Sequence, residues 1–275
     1  MGLPEAFVTL LREFPYALYG SMLVGVLCAV LGVYVVARRV VFFGAVLTQV
    51  SLLGLALTFV PPLDILGHTG GSLSLTAAVA LVLSGLLADK RVPRDAVLGV
   101  VFVSSAALRM LVLQKAPQVE AAEVENLMRG DILFVTPGLF LFTVILGAVA
   151  VLFMVLFARP FAILGLDPET AEAQGYRARR WDQAFYLLAA LVVAAATHLV
   201  GDLFVFGFLV VPPVAALLLG RRVRGIVLIA ALLGLLCPLA GLLLAYVLDV
   251  PATPAIVAVA AACLLAAWTV NRLRR

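Results

Sequence analysis

An all-α, polytopic bundle of transmembrane helices is the fold this sequence predicts, and three observations predict it. Of its 275 residues, 65% are hydrophobic and only 12% charged, too few polar groups to cover a soluble protein of that size. Apolar runs of about 17–25 residues, the length that crosses a hydrocarbon core, recur along the whole chain. Basic residues gather between those runs, the arrangement that sorts loops to one side of a membrane. Cys28, Cys237 and Cys263 all lie inside apolar runs. They read as small buried side chains and supply neither a disulfide frame nor a thiolate zinc site.

Residues 4–14, PEAFVTLLREF, form a short amphipathic segment suited to the membrane surface. The segment lacks the cationic start and small-residue cleavage site of a removable signal peptide. About nine spans follow: 15–37, 41–60, 72–88, 95–114, 137–158, 183–200, 203–220, 225–248 and 254–271. The run PPLDILGHTGG before the third span carries prolines and glycines that argue against a helix, so Asp64 and His68 read as solvated loop residues. Only Gly201 and Asp202 separate the sixth span from the seventh, which leaves eight as the alternative count. Pro212, Pro213 and Pro238 fall inside spans and predict kinks or broken helices. The chain 1–275 reads as a single transmembrane domain, with an outer loop at 115–136 and an inner loop at 159–182.

Orientation comes from charge. Fifteen of the nineteen basic residues fall in five clusters: Arg38 and Arg39; Lys90, Arg91 and Arg94; Arg159, Arg177, Arg179 and Arg180; Arg221, Arg222 and Arg224; Arg272, Arg274 and Arg275. With nine spans every cluster shares one side, which the positive-inside rule makes cytoplasmic. The N-terminus is then outside and the C-terminus inside. The net charge of +4 thus reports topology and does not point to nucleic acid.

Residues 38–54, RRVVFFGAVLTQVSLLG, put an arginine pair at the mouth of an apolar helix that carries one amide, Gln49. This stretch resembles the second-helix signature of the permeases of zinc, manganese and iron ABC importers (the ABC-3 family), matched at Phe43, Gly44, Ser51, Leu52, Leu53 and Gly54. Family members commonly place an aspartate after that first glycine and a histidine four residues on, both facing the transport path. Here the two positions hold Ala45 and Gln49. MRGDILFVT (128–136) and VGDLFVFGFLVVPPVAALL (200–218) resemble further family segments, with Arg129 and Pro213 as departures, and the similarity runs from residue 15 to 270.

The inner loop carries a second signal. Asp167 suits an N-cap, Pro168 a first helical turn and Glu169 the positive end of the helix dipole. Ala171 and Ala173 are small enough for close contact, and Gly175 ends the segment. LDPETAEAQG is similar to the family's coupling segment, which implies docking by a separate cytoplasmic ATPase. On the residues alone it is equally a capped loop helix.

Ionisable groups at membrane depth are functional candidates by default. His198 and Asp202 are spaced i, i+4 near the outer end of the sixth span. If the helix continues through Gly201 they share a face and form a candidate metal entry site; otherwise Asp202 caps the next helix. A carboxylate and an imidazole suit zinc, and manganese accepts more oxygen ligands. Gln49 either lines the path or bonds a neighbouring helix. Arg109 either snorkels to the outer surface, pairs with Asp131 or Asp202, or meets an anionic substrate. Glu120, Glu123 and Glu125 of the outer loop face either solvent or a binding protein.

No Walker-type phosphate loop is present, so ATP would sit on a partner subunit. The resemblance implies the membrane subunit of an ABC importer in the bacterial inner membrane. It would bind no cofactor itself and would pass zinc or manganese by alternating access. Its partners would be a second copy of the chain, a cytoplasmic ATPase, an extracytoplasmic binding protein and membrane lipid. An ABC permease for a non-metal solute or with a sensory role, and a secondary carrier without an ATPase, are the competing readings.

Overall fold

The computed structural model describes residues 12–59, 67–88, 91–116, 136–157 and 177–273, with isolated positions within 122–128 and 160–163. The described residues are mostly helical, with no strand among them. In chain order the helices are α1 (Pro15–Ala37), α2 (Phe43–Leu57), α3 (Gly67–Leu86), α4 (Arg94–Leu113), α5 (Pro137–Leu156), α6 (Ala178–Val200), α7 (Asp202–Leu219), α8 (Val223–Leu248) and α9 (Ala252–Leu273). Eight of them are long and apolar enough to cross a membrane, and the exception is the fifteen-residue α2. Large apolar side chains on α4 and α5, among them Val100, Val103, Leu111, Ile145, Leu152 and Val155, are exposed. On a membrane protein such residues are the lipid-facing surface.

Two helices begin five residues earlier than the sequence predicts. The third starts at Gly67 rather than 72, so His68 is helical, against the loop expected there. Of the glycines that read as breakers, Gly67 opens the helix at φ +64° and Gly71 is a packing residue. A Cβ on Gly54 of α2 would crowd the Ser72 backbone, and one on Gly71 of α3 would overlap the Thr58 methyl. The two helices thus cross with little between their backbones, and Ser51 and Ser72 share a hydrogen bond of 2.7 Å at the crossing. Small residues and hydroxyls are what helix contacts in a membrane favour. His68 Nδ1 lies 3.1 Å from the Thr58 hydroxyl, and its ring packs on Phe59. The sixth helix starts at Ala178 rather than 183, because the charged turn from Arg179 to Asp182 continues the apolar helix.

The chain divides into two compact units, residues 1–36, 126–144 and 198–275 in one and 37–125 and 145–197 in the other. In the first, α7, α8 and α9 pack on one another. Ala29 and Val33 of α1 meet Ala216 of α7 and Ala230 of α8 in a small buried core. Pro212 and Pro213 lie inside α7 and Pro238 inside α8. In the second unit α2 packs against both α3 and α4.

Candidate functional site

Every residue of α2 from Phe43 to Ala56 is buried. A helix enclosed on all sides needs no polar face, and its composition follows: glycine, alanine, serine, threonine and apolar residues, with Gln49 the one large polar side chain. Ala45 and Gln49, one turn apart, share a face. Ala45 contributes only a methyl group, and its carbonyl accepts a 3.0 Å hydrogen bond from the Thr48 hydroxyl.

Gln49 is engaged. Arg109 Nη1 of α4 donates to its Oε1 at 2.6 Å. On a helix that otherwise shows long apolar side chains outward, Leu98, Ser105 and Arg109 are the buried residues, and their i, i+7, i+11 spacing aligns them on one face toward α2. Arg109 is 3% exposed, so it does not snorkel to the surface. Of the two readings of Gln49, the bond to a neighbouring helix is present. A charge-assisted hydrogen bond of this kind is worth roughly 1.5–3 kcal/mol, enough to fix both side chains. In the sequence Arg109 stood out only as an ionisable residue within a span, and nothing named Gln49, sixty positions earlier, as its partner.

His198 and Asp202 stand on different helices. His198 is in the last turn of α6, and Asp202 is the first residue of α7. Between them Gly201 takes φ +84°, a backbone that glycine adopts without strain and that ends the helical path. The single-helix face expected of an i, i+4 pair therefore does not form. Gly201, not Asp202, holds the N-cap position, while Asp202 sits where the helix dipole favours a carboxylate. Among the described residues no group of three or more His, Cys, Asp or Glu side chains is placed to hold a metal ion. Asp167, Glu169, Ala171, Ala173 and Gly175 lie outside the described residues, as do Asp64, Arg129 and Asp131.

The arginine pair splits. Arg39 takes a left-handed φ of +56° and is exposed, whereas Arg38 is buried. Its Nη1 donates to Asp182 Oδ1 at 2.6 Å, and its guanidinium carbon stands 4.2 Å from the centre of the Phe185 ring. Sequence reasoning placed Arg38 among the topology-setting charges, and its acidic partner is 144 positions away.

The model of the ABC 3 transport family matches residues 13–271. The chain belongs to this family. Among ABC 3 relatives, the manganese transport system membrane protein MntC of Halalkalibacterium halodurans is 27% identical over 249 residues, covering 89% of this chain and 82% of that protein. The high-affinity zinc uptake system membrane protein ZnuB of Buchnera aphidicola is 28% identical over 246 residues, covering 87% and 92%. A chain of PsaBC from Streptococcus pneumoniae, solved in complex with a Fab, superposes with a TM-score of 0.84 at 22% identity, covering 97% of this chain and 95% of that one. At that identity the likeness establishes the shared fold. As an ABC 3 member with eight membrane-length apolar helices, the chain is an integral inner-membrane permease subunit of an ABC transporter.

Proposed function

We propose that the chain imports a divalent metal ion, manganese or zinc, as the membrane subunit of an ATP-driven complex. The observation that carries this reading is the family match over residues 13–271, joined to relatives named for manganese and zinc transport. Two copies form the permease, each a single domain of nine crossings with its N-terminus outside and its C-terminus in the cytoplasm. A separate ATPase docks on the 159–182 loop through Asp167, Glu169, Ala171, Ala173 and Gly175. A binding protein outside the membrane delivers the ion.

The α2 face that carries Ala45 and Gln49 lines the path. Neither side chain offers an anionic ligand, and the Gln49 oxygen is held by Arg109. Passage therefore rests on weak, transient contacts, with ion selection assigned to the binding protein. His198 and Asp202 mark the ends of two helices that meet at Gly201, and there they form an entry point for the cation.

Uptake of radioactive manganese and zinc into proteoliposomes holding the complete complex tests the reading. ATP-dependent accumulation of either ion is expected, reduced in Gln49→Ala and His198→Ala. Absence of metal-stimulated ATP hydrolysis and of metal uptake in the unaltered complex would sink it.

A further inference from the structure

The ends of the 159–182 loop are held to the start of α2 by a chain of rings and one buried cation. Phe157, just past α5, packs on Trp181 in the first turn of α6 with centroids 5.1 Å apart. Phe161, fully buried, meets Trp181 at 5.7 Å and Phe185 at 5.9 Å. Phe185 contacts Tyr186 at 5.8 Å, and Tyr186 contacts Phe43, the first residue of α2, at 4.8 Å. Arg38 closes the set from the other side. Five residues before α2 begins, it pairs with Asp182 and lies over Phe185.

Burying a guanidinium is costly unless it is paired, and a lysine or arginine kept only to set topology needs nothing but water. Arg39 next door meets that need, being exposed. Arg38 is spent otherwise. Its carboxylate partner is itself only half-buried, so the pair sits where the loop leaves for the solvent-exposed basic turn of Arg177, Arg179 and Arg180. Tilted aromatic pairs resist separation, and cation–π stacking adds directional attraction. The assembly joins a loop exit to a helix entrance by contacts that transmit both pull and push.

We infer that Arg38 is a positioning residue that couples the loop to α2: through Asp182 and Phe185 it converts displacement of 159–182 into displacement of the helix bearing Gln49. The inference rests on the reading of that loop as the ATPase dock. It goes further by naming the link through which nucleotide-driven motion reaches the path.

The test uses the complete complex in proteoliposomes and measures metal transported per ATP hydrolysed. Arg38→Gln removes the charge, and Asp182→Asn removes its partner with little change of shape. Both variants are expected to keep hydrolysis within about twofold while transport per ATP falls about tenfold, the scale of a typical coupling free energy. Arg38→Lys, which retains a cation beside Asp182, restores most of the ratio. Parallel loss of hydrolysis and transport, an unchanged ratio, or failure of both variants to assemble would make the contact a structural brace and overturn the inference. Failure of the docking reading looks different: the ATPase then does not co-purify with the unaltered chain.

Discussion

Gly32 of α1 lies against the carbonyl oxygen of Leu209, the oxygen that Pro213 leaves without its helical donor. Seven residues earlier the relationship recurs. Gly25 lies against the carbonyl of Gly234, four residues before Pro238 of α8. In both places a proline frees a carbonyl within a membrane helix, and a glycine of α1 lets another backbone come close enough to cover it. Close Cα–H contacts to such oxygens recur at helix crossings and offset part of the lost hydrogen bond.

A methyl group has no room at either point, since a Cβ on Gly25 or Gly32 would overlap the facing carbonyl and crowd the proline ring. Gly25→Ala and Gly32→Ala are expected to destabilise the protein by roughly 1–3 kcal/mol each, the usual cost of overpacking. Gly99 of α4, beside open space, is the control: Gly99→Ala should be neutral or stabilising by up to about 1 kcal/mol. Thermal unfolding in detergent reads all three, and equal effects would refute the packing account.

The Gln49–Arg109 bond predicts non-additivity. Gln49→Leu leaves a buried guanidinium nitrogen without this acceptor, so it should cost more than the double variant Gln49→Leu with Arg109→Met costs beyond Arg109→Met alone. A double-mutant cycle on unfolding should return a coupling of about 1.5–3 kcal/mol. Coupling below about 0.5 kcal/mol would show that the contact adds nothing net.

The Ser51–Ser72 hydrogen bond and the Gly54–Gly71 approach separate polar from steric contributions at one crossing. Ser51→Ala is expected to cost well under about 2 kcal/mol, in line with polar contacts between membrane helices. Gly54→Leu forces α2 from α3 and should abolish folding, since the Cβ alone already crowds the Ser72 backbone. Expression yield and size-exclusion profile measure the contrast.

Cys237 of α8 and Cys263 of α9 have their sulfurs 3.8 Å apart, while Cys28 is fully buried elsewhere. A disulfide needs about 2.05 Å, a short movement for two facing side chains. Mild oxidation with a copper–phenanthroline oxidant should therefore protect two of the three thiols from maleimide after unfolding, and Cys263→Ala should abolish that protection. Mass spectrometry counts the labels.

How much of this was legible beforehand follows from range. The apolar helices were legible from local apolar runs, but the shortness and all-round burial of α2 were not, since 41–60 reads as one more full span. The boundaries at Gly67 and Ala178 were missed because glycine and charge signal a loop locally, whereas Gly71 and Asp182 have helical roles set by Thr58 and Arg38. Arg38 and Arg39 are indistinguishable in sequence and opposite in burial, since a partner 144 positions away decides between them. Whether His198 and Asp202 share one helix face stayed open, because spacing carries no information about a φ of +84° at Gly201.

The length of α2 bears on how the chain is made. Fifteen residues rise only about 22 Å, short of a hydrocarbon core of about 30 Å. Emerging from the ribosome, such a segment is too brief to be held in the bilayer by itself. It is expected to enter together with α3, whose Ser72 and Gly71 receive it in the folded protein, as a hairpin. A chain released after Thr58 should leave α2 accessible to aqueous maleimide at an introduced Leu47→Cys, and one released after Leu87 should shield it.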